Sequence, residues 1–217
     1  MSERTNIKRD IAIIGMAGLF PKSPDVYTFW QNIIGQVPCV DEAPADAWDV
    51  HAAYDPDSDQ AGRIYTRRGG YLGALATFNP LKNGVPPQAV EGTEPAQWLA
   101  LEAARNALAD AGYADGVPQN ARTRAAKART ATIIGRGTYI NRANTTHYQH
   151  GTLIDETVRV VAQLNPHYSA DDLAYLRNEL SSSLPPFDAT SAQGLIPNII
   201  AGRIANKLDL MGPAYTV

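Results

Sequence analysis

Residues 194–217 read GLIPNIIAGRIANKLDLMGPAYTV, a helix pattern followed by a strand pattern. Large apolar residues recur at every fourth position, which predicts a helix over residues 194–208 with one face against a core; they are Ile196, Ile200, Ile204 and Leu208. Gly212 and Pro213 stop this helix, and residues 214–217 begin a strand. The segment therefore predicts a helix followed directly by a strand of a sheet.

Two upstream runs have the composition of buried strands. Residues 11–14 and 131–134 are short and rich in β-branched residues, and each is followed by a glycine, Gly15 or Gly135. Apolar periodicity also predicts helices, over residues 26–34, 93–111, 153–164 and about 171–180. Strands that alternate with helices in this way indicate an α/β layered fold.

Local signals mark the element boundaries. Thr93 is predicted to cap the long helix, with Pro95 in its first turn and Gly112 at its end. Ser169 is predicted to cap the helix near residue 171. Residues 36–90 are rich in proline, glycine and aspartate, which predicts an irregular layer with a hairpin near Gly69.

Composition excludes several classes of function. The net charge is -3, and the basic residues are scattered, so we expect no nucleic-acid binding. Cys39 is the only cysteine, so an internal disulfide is impossible and a reducing, cytoplasmic setting is expected. No apolar run is long enough to span a membrane, and we expect no membrane partner.

The residues alone form no complete catalytic or metal site. Cys39 has no neighbouring histidine and follows Pro38, so it is a poor candidate nucleophile. His147 and His150 are spaced as two ligands on one helix face could be, but their polar neighbours indicate a loop and no cysteine or carboxylate cluster completes the set. We therefore predict no catalytic residue and no metal ligand in this chain.

Five segments together carry a family resemblance that spans nearly everything from Asp10 to Val217. The segments are IAIIGMA at residues 11–17 with FP at 20–21 and FW at 29–30; PADAW at 44–48; GGYL at 69–72 with FNP at 78–80; EPAQ at 94–97 with LE at 101–102 and ALADAG at 107–112; and NIIAGRIAN at 198–206 with LMGPAYTV at 210–217. In this order they resemble the type I β-ketoacyl synthase (ketosynthase) domains of polyketide and polyunsaturated-fatty-acid synthases.

The resemblance implies the N-terminal half of a thiolase-like fold, a layered α/β arrangement around a buried mixed sheet. Residues 1–9 would be a tail, and residues 10–217 a β-ketoacyl synthase N-terminal domain that stops before the catalytic cysteine. The family pattern commonly has Asp-Pro-x-Gln-Arg in the long helix. Here Glu94 and Trp98 replace its Asp and Arg, which bears on the subfamily.

The same resemblance implies a decarboxylative Claisen condensation of an acyl thioester with a malonyl extender. Acyl groups would arrive on the phosphopantetheine arm of an acyl carrier protein, with no other cofactor, and the full enzyme would be a homodimer. By position in the motif, the residues implied in substrate binding are Asn198, Gly202, Tyr139 and Ile140. Simple core packing is the alternative for all four, and Gly202 could instead permit a close helix contact.

We expect this chain by itself to catalyse no condensation, because the family's nucleophile, histidines and oxyanion donors lie beyond it. Two alternatives from other classes stay open. One is a non-catalytic partner of the chain-length-factor kind, which shapes a pocket but lacks the cysteine. The other is a gene remnant without activity.

Overall fold

The computed structural model describes residues 10–45, 47–114, 120–137 and 141–217. Its helices are α1 Val26–Ile34, α2 Val50–Ala53, α3 Gln88–Glu91, α4 Pro95–Asp110, α5 Ala121–Lys127, α6 Arg142–Tyr148, α7 Ile154–Leu164, α8 Ala170–Ser182, α9 Ala189–Ala192 and α10 Ile199–Leu208. The strands are β1 Asp41–Glu42, β2 Arg68–Gly69, β3 Thr132–Ile134 and β4 Ala214–Thr216. Short 3₁₀ turns occur at Gly73–Leu75 and Gln193–Leu195, and a π-helical turn at Gln149–Leu153.

The described residues fall into two compact units. The first takes its described residues from the ranges Met1–Thr77 and Ala103–Val117, and the second takes its described residues from Phe78–Glu102 and Pro118–Val217. Helix α4 contributes residues to each of them. The strand pair β3–β4 and helix α10 belong to the second unit.

Helix α1 in the first unit has the bounds that the sequence predicts. A carboxylate oxygen of Asp25 accepts the backbone N–H of Thr28 at 2.6 Å, which satisfies one of the unpaired donors of the first turn. This hydrogen bond also holds the pKa of Asp25 below its usual value. At the other end Gly35 closes the helix.

Strand β2 does not belong to a local hairpin. It pairs antiparallel with β1, and the register places Asp41 opposite Gly69 and Glu42 opposite Arg68. The predicted hairpin near Gly69 is therefore wrong. The glycine pair indicated a turn, but the strand partner comes from far upstream, and only tertiary structure selects such a partner.

Residues 11–14 form no strand in the structure, so that prediction is wrong. Ile11, Ile13 and Ile14 are 96%, 79% and 67% exposed. A short apolar run has the composition of a buried strand, but a strand exists only where a ladder partner is hydrogen-bonded to it. Among the described residues no strand pairs with this segment.

The end of the same segment lies against the last turns of α4. The backbone N–H of Met16 donates to the carboxylate of Asp110 at 2.8 Å. A Cβ at Gly15 would lie 2.4 Å from the carbonyl oxygen of Ala107, closer than any side chain could approach. A glycine is therefore required where the backbone meets the helix.

Helix α4 confirms the predicted long helix, with Pro95 at its first position and Gly112 just beyond its end at φ +85°. Trp98 and Leu101 are buried on its inner face. Thr93 does not cap the helix as predicted. Its hydroxyl instead donates to the carbonyl oxygen of Ala89 at 2.6 Å.

Helix α10 and the strand pair β3–β4 form the layered part of the second unit. The two strands are parallel, and α10 packs against both. Ile200, Ile204 and Leu208 are buried, which confirms three quarters of the predicted stripe. Ile196 precedes the helix and is 53% exposed, because the turn Gln193–Leu195 comes first and α10 starts later than predicted.

One face of the strand pair is exposed. Ile133 of β3 and Tyr215 of β4 are direct partners in the register and are 55% and 43% exposed. Thr132 points the opposite way and is buried. The strand predicted over residues 131–134 is therefore confirmed, but its burial on both faces is wrong for the described residues.

Helices α7 and α8 pack against each other as a helical hairpin. Ser169 and Asp172 form a reciprocal capping box at the start of α8, as the sequence predicts for Ser169. Arg177 of α8 forms an ion pair with Asp155 of α7. Of the two helices, α7 has buried residues, Ile154 and Val158, whereas α8 has none.

Candidate functional site

The carboxyl ends of β3 and β4 meet at one edge because the strands are parallel. The backbone N–H of Val217 donates to the carbonyl of Ile134 at 2.8 Å, and the N–H of Arg136 donates to the carbonyl of Val217 at 2.9 Å. In α/β layers, ligands bind in the crevice outside the carboxyl ends of the strands. This edge is therefore the candidate functional site.

Asn198 joins the start of α10 to β4 at this edge. Its side-chain oxygen accepts the backbone N–H of Thr216 at 2.9 Å. In return, the hydroxyl of Thr216 donates to the carbonyl of Pro197 at 3.1 Å. The two hydrogen bonds hold the last residues of β4 in a fixed position against the helix.

A cavity of about 380 Å³ opens at the edge. Four described segments contribute to it: the chain after β3, the start of α6, the turn before α10 and the end of β4. The residues that line it are Arg136, Asn141, Asn144, Leu195, Pro197, Thr216 and Val217. The volume lies at the lower end of the range for small-molecule sites.

Asn141 lines one wall of this cavity, and both the oxygen and the nitrogen of its side-chain amide are hydrogen-bonded. Its amide oxygen accepts the backbone N–H of Asn144 at 2.9 Å and so caps α6. Its amide nitrogen donates to the carbonyl of Gly194 at 3.1 Å, which ties α6 to the turn before α10. The wall is therefore fixed before any ligand enters.

The structure places only part of the predicted site. Asn198 lies at the edge, bonded to β4. Gly202 is exposed one turn further along α10, and no atom lies within 4 Å of where its Cβ would be, so it permits no close helix contact among the described residues. Tyr139 and Ile140 lie outside the described residues.

Sequence reasoning missed Arg136 and Asn141. The signal for Arg136 was present, because it follows Gly135 at the end of a predicted parallel strand. No such signal marked Asn141, which the structure shows as the N-cap of α6.

The histidines form no metal site among the described residues, where no cluster of potential ligands occurs. His147 lies on α6 and His150 in the π-helical turn, so the predicted loop is wrong. One ring nitrogen of His150 lies 2.9 Å from the carbonyl of Pro185, and the ring of His147 packs on Phe187. Both are structural contacts.

Glu94 and Trp98, the two residues that depart from the commonest family motif, each contact other parts of the second unit. A carboxylate oxygen of Glu94 accepts the backbone N–H of Arg142 at 3.0 Å, so Glu94 bonds to the first turn of α6. The ring of Trp98 lies 3.9 Å from the guanidinium of Arg203 and 5.0 Å from the ring of Phe78. Burial lowers the pKa of Arg203, which places this cation in a poorly solvated setting.

Two other features lie away from the edge. A second cavity, of about 420 Å³, lies between α6 and α9 and includes Asp188. Hydrogen bonds from the backbone N–H groups of Ser191 and Thr190 hold the pKa of Asp188 below its usual value. These bonds occupy the carboxylate as the cap of α9. In the described part of the chain, no helix has the length and apolar character needed to cross a membrane.

Comparison with known proteins identifies relatives along most of the chain. The polyketide synthase PksN of Bacillus subtilis (strain 168) is 28% identical over 186 residues, which are 86% of this chain and 3% of that protein. The polyketide synthase GfsE of Streptomyces halstedii is 28% identical over 211 residues, 95% of this chain and 4% of that protein. The chain thus spans a small fraction of these curated relatives.

Solved structures give the same fold. The oxazolomycin ketosynthase domain OzmH KS7 of Streptomyces albus JA3453 matches with a TM-score of 0.61 and 25% identity, over 94% of this chain and 28% of that one. The ketosynthase from module 6 of the bacillaene synthase of Bacillus subtilis 168 matches with a TM-score of 0.55 and 23% identity, over 95% and 26%. The predicted α/β, thiolase-like class is confirmed.

The family model for the β-ketoacyl synthase N-terminal domain matches residues 8–217, nearly the whole chain. This match agrees with the order of the five segments, the ketosynthase fold and the parallel strand pair with its fixed carboxyl edge. The chain belongs to the β-ketoacyl synthase family, and it carries that family's N-terminal domain.

Proposed function

We propose that this chain is part of a β-ketoacyl-[acyl-carrier-protein] synthase of polyketide or fatty-acid biosynthesis. The enzyme condenses an acyl thioester with a malonyl extender and releases carbon dioxide. The proposal is supported chiefly by one observation, the cavity at the carboxyl edge of β3–β4, where Asn198 fixes the end of β4.

The reaction needs two exchanges of bonds. A cysteine thiolate attacks the acyl thioester, an acyl–enzyme bond forms, and the carrier thiol leaves. The malonyl thioester then loses carbon dioxide, and the electron pair of the broken carbon–carbon bond forms an enolate. The enolate attacks the acyl–enzyme carbonyl, the cysteine leaves as thiolate, and the β-ketoacyl product stays on the carrier.

Within this scheme the chain supplies the wall of the acyl pocket rather than the reacting groups. Asn198, Gly202, Tyr139 and Ile140 are proposed as its substrate-side positions. The contact of Asn198 with Thr216 supports a role in fixing the strand that leads to the nucleophile. The open space beside Gly202 leaves room for a substrate or for a further part of the protein.

The partners proposed are an acyl carrier protein and a second copy of the enzyme, in the cytoplasm. The phosphopantetheine arm of the carrier delivers the acyl groups. The exposed pair Ile133 and Tyr215 supports a covering element from the remainder of the domain or from the second subunit. Residues 10–217 are proposed as one domain unit, preceded by a tail at residues 1–9.

A paired assay tests the function. The 217-residue chain and the full-length protein that the gene encodes are each given an acyl carrier substrate and a malonyl carrier substrate. We expect condensation only from the full-length protein. Elongation by the purified chain alone, above the level of an empty-vector preparation, contradicts the assignment of the reacting groups to residues outside it.

The reading frame after Val217 separates the alternatives. We expect a cysteine about four residues on, at a strand-to-helix turn where unpaired N–H groups lower the thiol pKa. A glutamine, alanine or serine at that position favours the pocket-shaping partner of the chain-length-factor kind. A stop codon in the natural gene favours the remnant.

A further inference from the structure

Arg136 brings a positive charge to the cavity at the carboxyl edge. It lies two residues after the end of β3, and its backbone is fixed by the hydrogen bond from its N–H to the carbonyl of Val217. The residue is half-buried. Among residues 10–45, 47–114, 120–137 and 141–217, no hydrogen bond or ion pair involves its guanidinium. Its charge therefore has no protein partner in the described part of the chain.

The other polar groups of the cavity are already engaged. Both ends of the Asn141 amide are bonded inside the protein, and the Thr216 hydroxyl donates to Pro197. None of the described residues that line the cavity is acidic, so none of them neutralises the cation. A guanidinium presents a planar fork of N–H donors that matches carboxylate and phosphate groups.

We infer that Arg136 binds an anionic oxygen group carried by the thioester substrate. Two sources share this chemistry: a carboxylate at the far end of the acyl chain, and the phosphate of the phosphopantetheine arm. The inference deepens the proposed condensing function and rests on it. It makes Arg136 a specificity-determining residue that is separate from the nucleophile, the histidines and the oxyanion donors.

A saturated acyl chain has no anion or hydrogen-bond acceptor that could pair with a guanidinium in the cavity wall. Arg136 is only half-buried. A hydrocarbon that covered its guanidinium would remove the charge from water, and that cost is offset only when a partner anion is present. The polar character of the wall thus favours an oxygenated substrate over an alkyl one of the same length.

Four probes separate the two sources. The full-length protein is acylated with straight-chain acyl thioesters of equal length that end in a methyl group or in a carboxylate. Each acyl group is carried on pantetheine, which has no phosphate, or on phosphopantetheine. The readouts are KM and kcat of acyl–enzyme formation for the wild type, Arg136→Gln and Arg136→Lys. Arg122→Gln is the matched control, since Arg122 is an exposed arginine of α5 outside the cavity.

We expect Arg136→Gln to raise KM about tenfold or more for the probes with the relevant anion, with kcat little changed. Arg136→Lys should have an intermediate effect, because it keeps the charge and loses the fork. A loss confined to the carboxylate-ended probes assigns the anion to the acyl chain. A loss confined to the phosphorylated probes assigns it to the carrier arm.

Equal KM values for Arg136→Gln and wild type on all four probes, in an enzyme that still becomes acylated, overturn the inference and leave the proposed function standing. No acylation of the wild type by any probe overturns both. Circular dichroism of each variant checks the fold, and Arg136→Lys keeps the comparison valid where Arg136→Gln does not fold.

Discussion

At position 98 the indole of Trp98 takes the place of the arginine that is common in the family motif. The side chain is buried and packs against the guanidinium of Arg203. Because burial already disfavours the charge of Arg203, a second cation beside it would have no compensation. An aromatic face suits the site because its quadrupole attracts a cation.

We therefore expect Trp98→Arg to destabilise the domain by about 3–5 kcal/mol, through a lost aromatic side chain and an unpaired buried charge. The matched control is Trp98→Phe, which keeps a ring over Arg203 and should cost less. Thermal unfolding of the full-length variants measures the difference. A Trp98→Arg variant as stable as Trp98→Phe contradicts this explanation.

Asn198 tests whether an edge residue positions the strand or contacts the substrate. Asn198→Ala leaves the N–H of Thr216 without its acceptor, while Asn198→Asp keeps an oxygen there. If Asn198 positions the strand, Asn198→Ala lowers kcat of acyl–enzyme formation about tenfold with KM unchanged, and Asn198→Asp stays near wild type. A raised KM in both variants would instead assign a direct substrate contact to Asn198.

Among the elements, helices were predicted better than strands. The apolar stripe of α10 and the capping serine of α8 are local signals, and the structure contains both. Strands depend on distant partners, so the run at residues 11–14 and the turn at Gly69 misled the prediction. The candidate site shows the same limit: the sequence indicated Asn198, but the fixing of Asn141 to Gly194 arises only from tertiary structure.

The capping box of α8 makes a pH prediction. The pKa of the Asp172 carboxyl lies below its ordinary value of 3.8. The main cause is the hydrogen bond from the Ser169 side chain, and the hydrogen bond from the Ser169 backbone N–H adds to it. A carboxyl group with a lowered folded-state pKa stabilises the fold above its unfolded-state pKa, and that contribution is lost as pH falls through the folded-state value. Acidification from pH near 3.8 downward should therefore remove the contribution of this cap.

The test compares melting temperatures of the full-length protein across this acid range. Asp172→Asn should lose less stability than wild type on acidification, because it has no such contribution to lose. Asp171→Asn is the control, since Asp171 lies in the same turn but is not part of the capping box. Identical acid losses in all three proteins would refute the role of Asp172.

At the scale of the whole chain, exposed apolar surface is the main feature. The apolar stripe of α10 does not contribute to it, because Ile200, Ile204 and Leu208 are buried within the second unit. The exposed residues lie elsewhere; they include Ile11, Ile13, Ile14, Ile33, Ile34, Ile133, Tyr215 and Val217. Contiguous apolar surface and unpaired strand edges promote association.

The isolated 217-residue chain should consequently behave poorly in solution. We expect oligomers or aggregates in size-exclusion chromatography with light scattering, strong binding of a hydrophobic dye, and a broad thermal transition. The control is the full-length protein under the same conditions, in which we expect the remainder of the domain to cover this surface. A monodisperse monomer of the isolated chain with a sharp cooperative transition contradicts this expectation.

The central claim is that the chain belongs to a condensing enzyme whose nucleophile is not Cys39. The most direct measurement is peptide-mapped mass spectrometry of the full-length protein after incubation with an acyl carrier substrate. The account predicts one acyl adduct, on a cysteine about four residues after Val217, and the same adduct in Cys39→Ala. An adduct on Cys39, or no adduct on any residue while the carrier stays acylated, would contradict it.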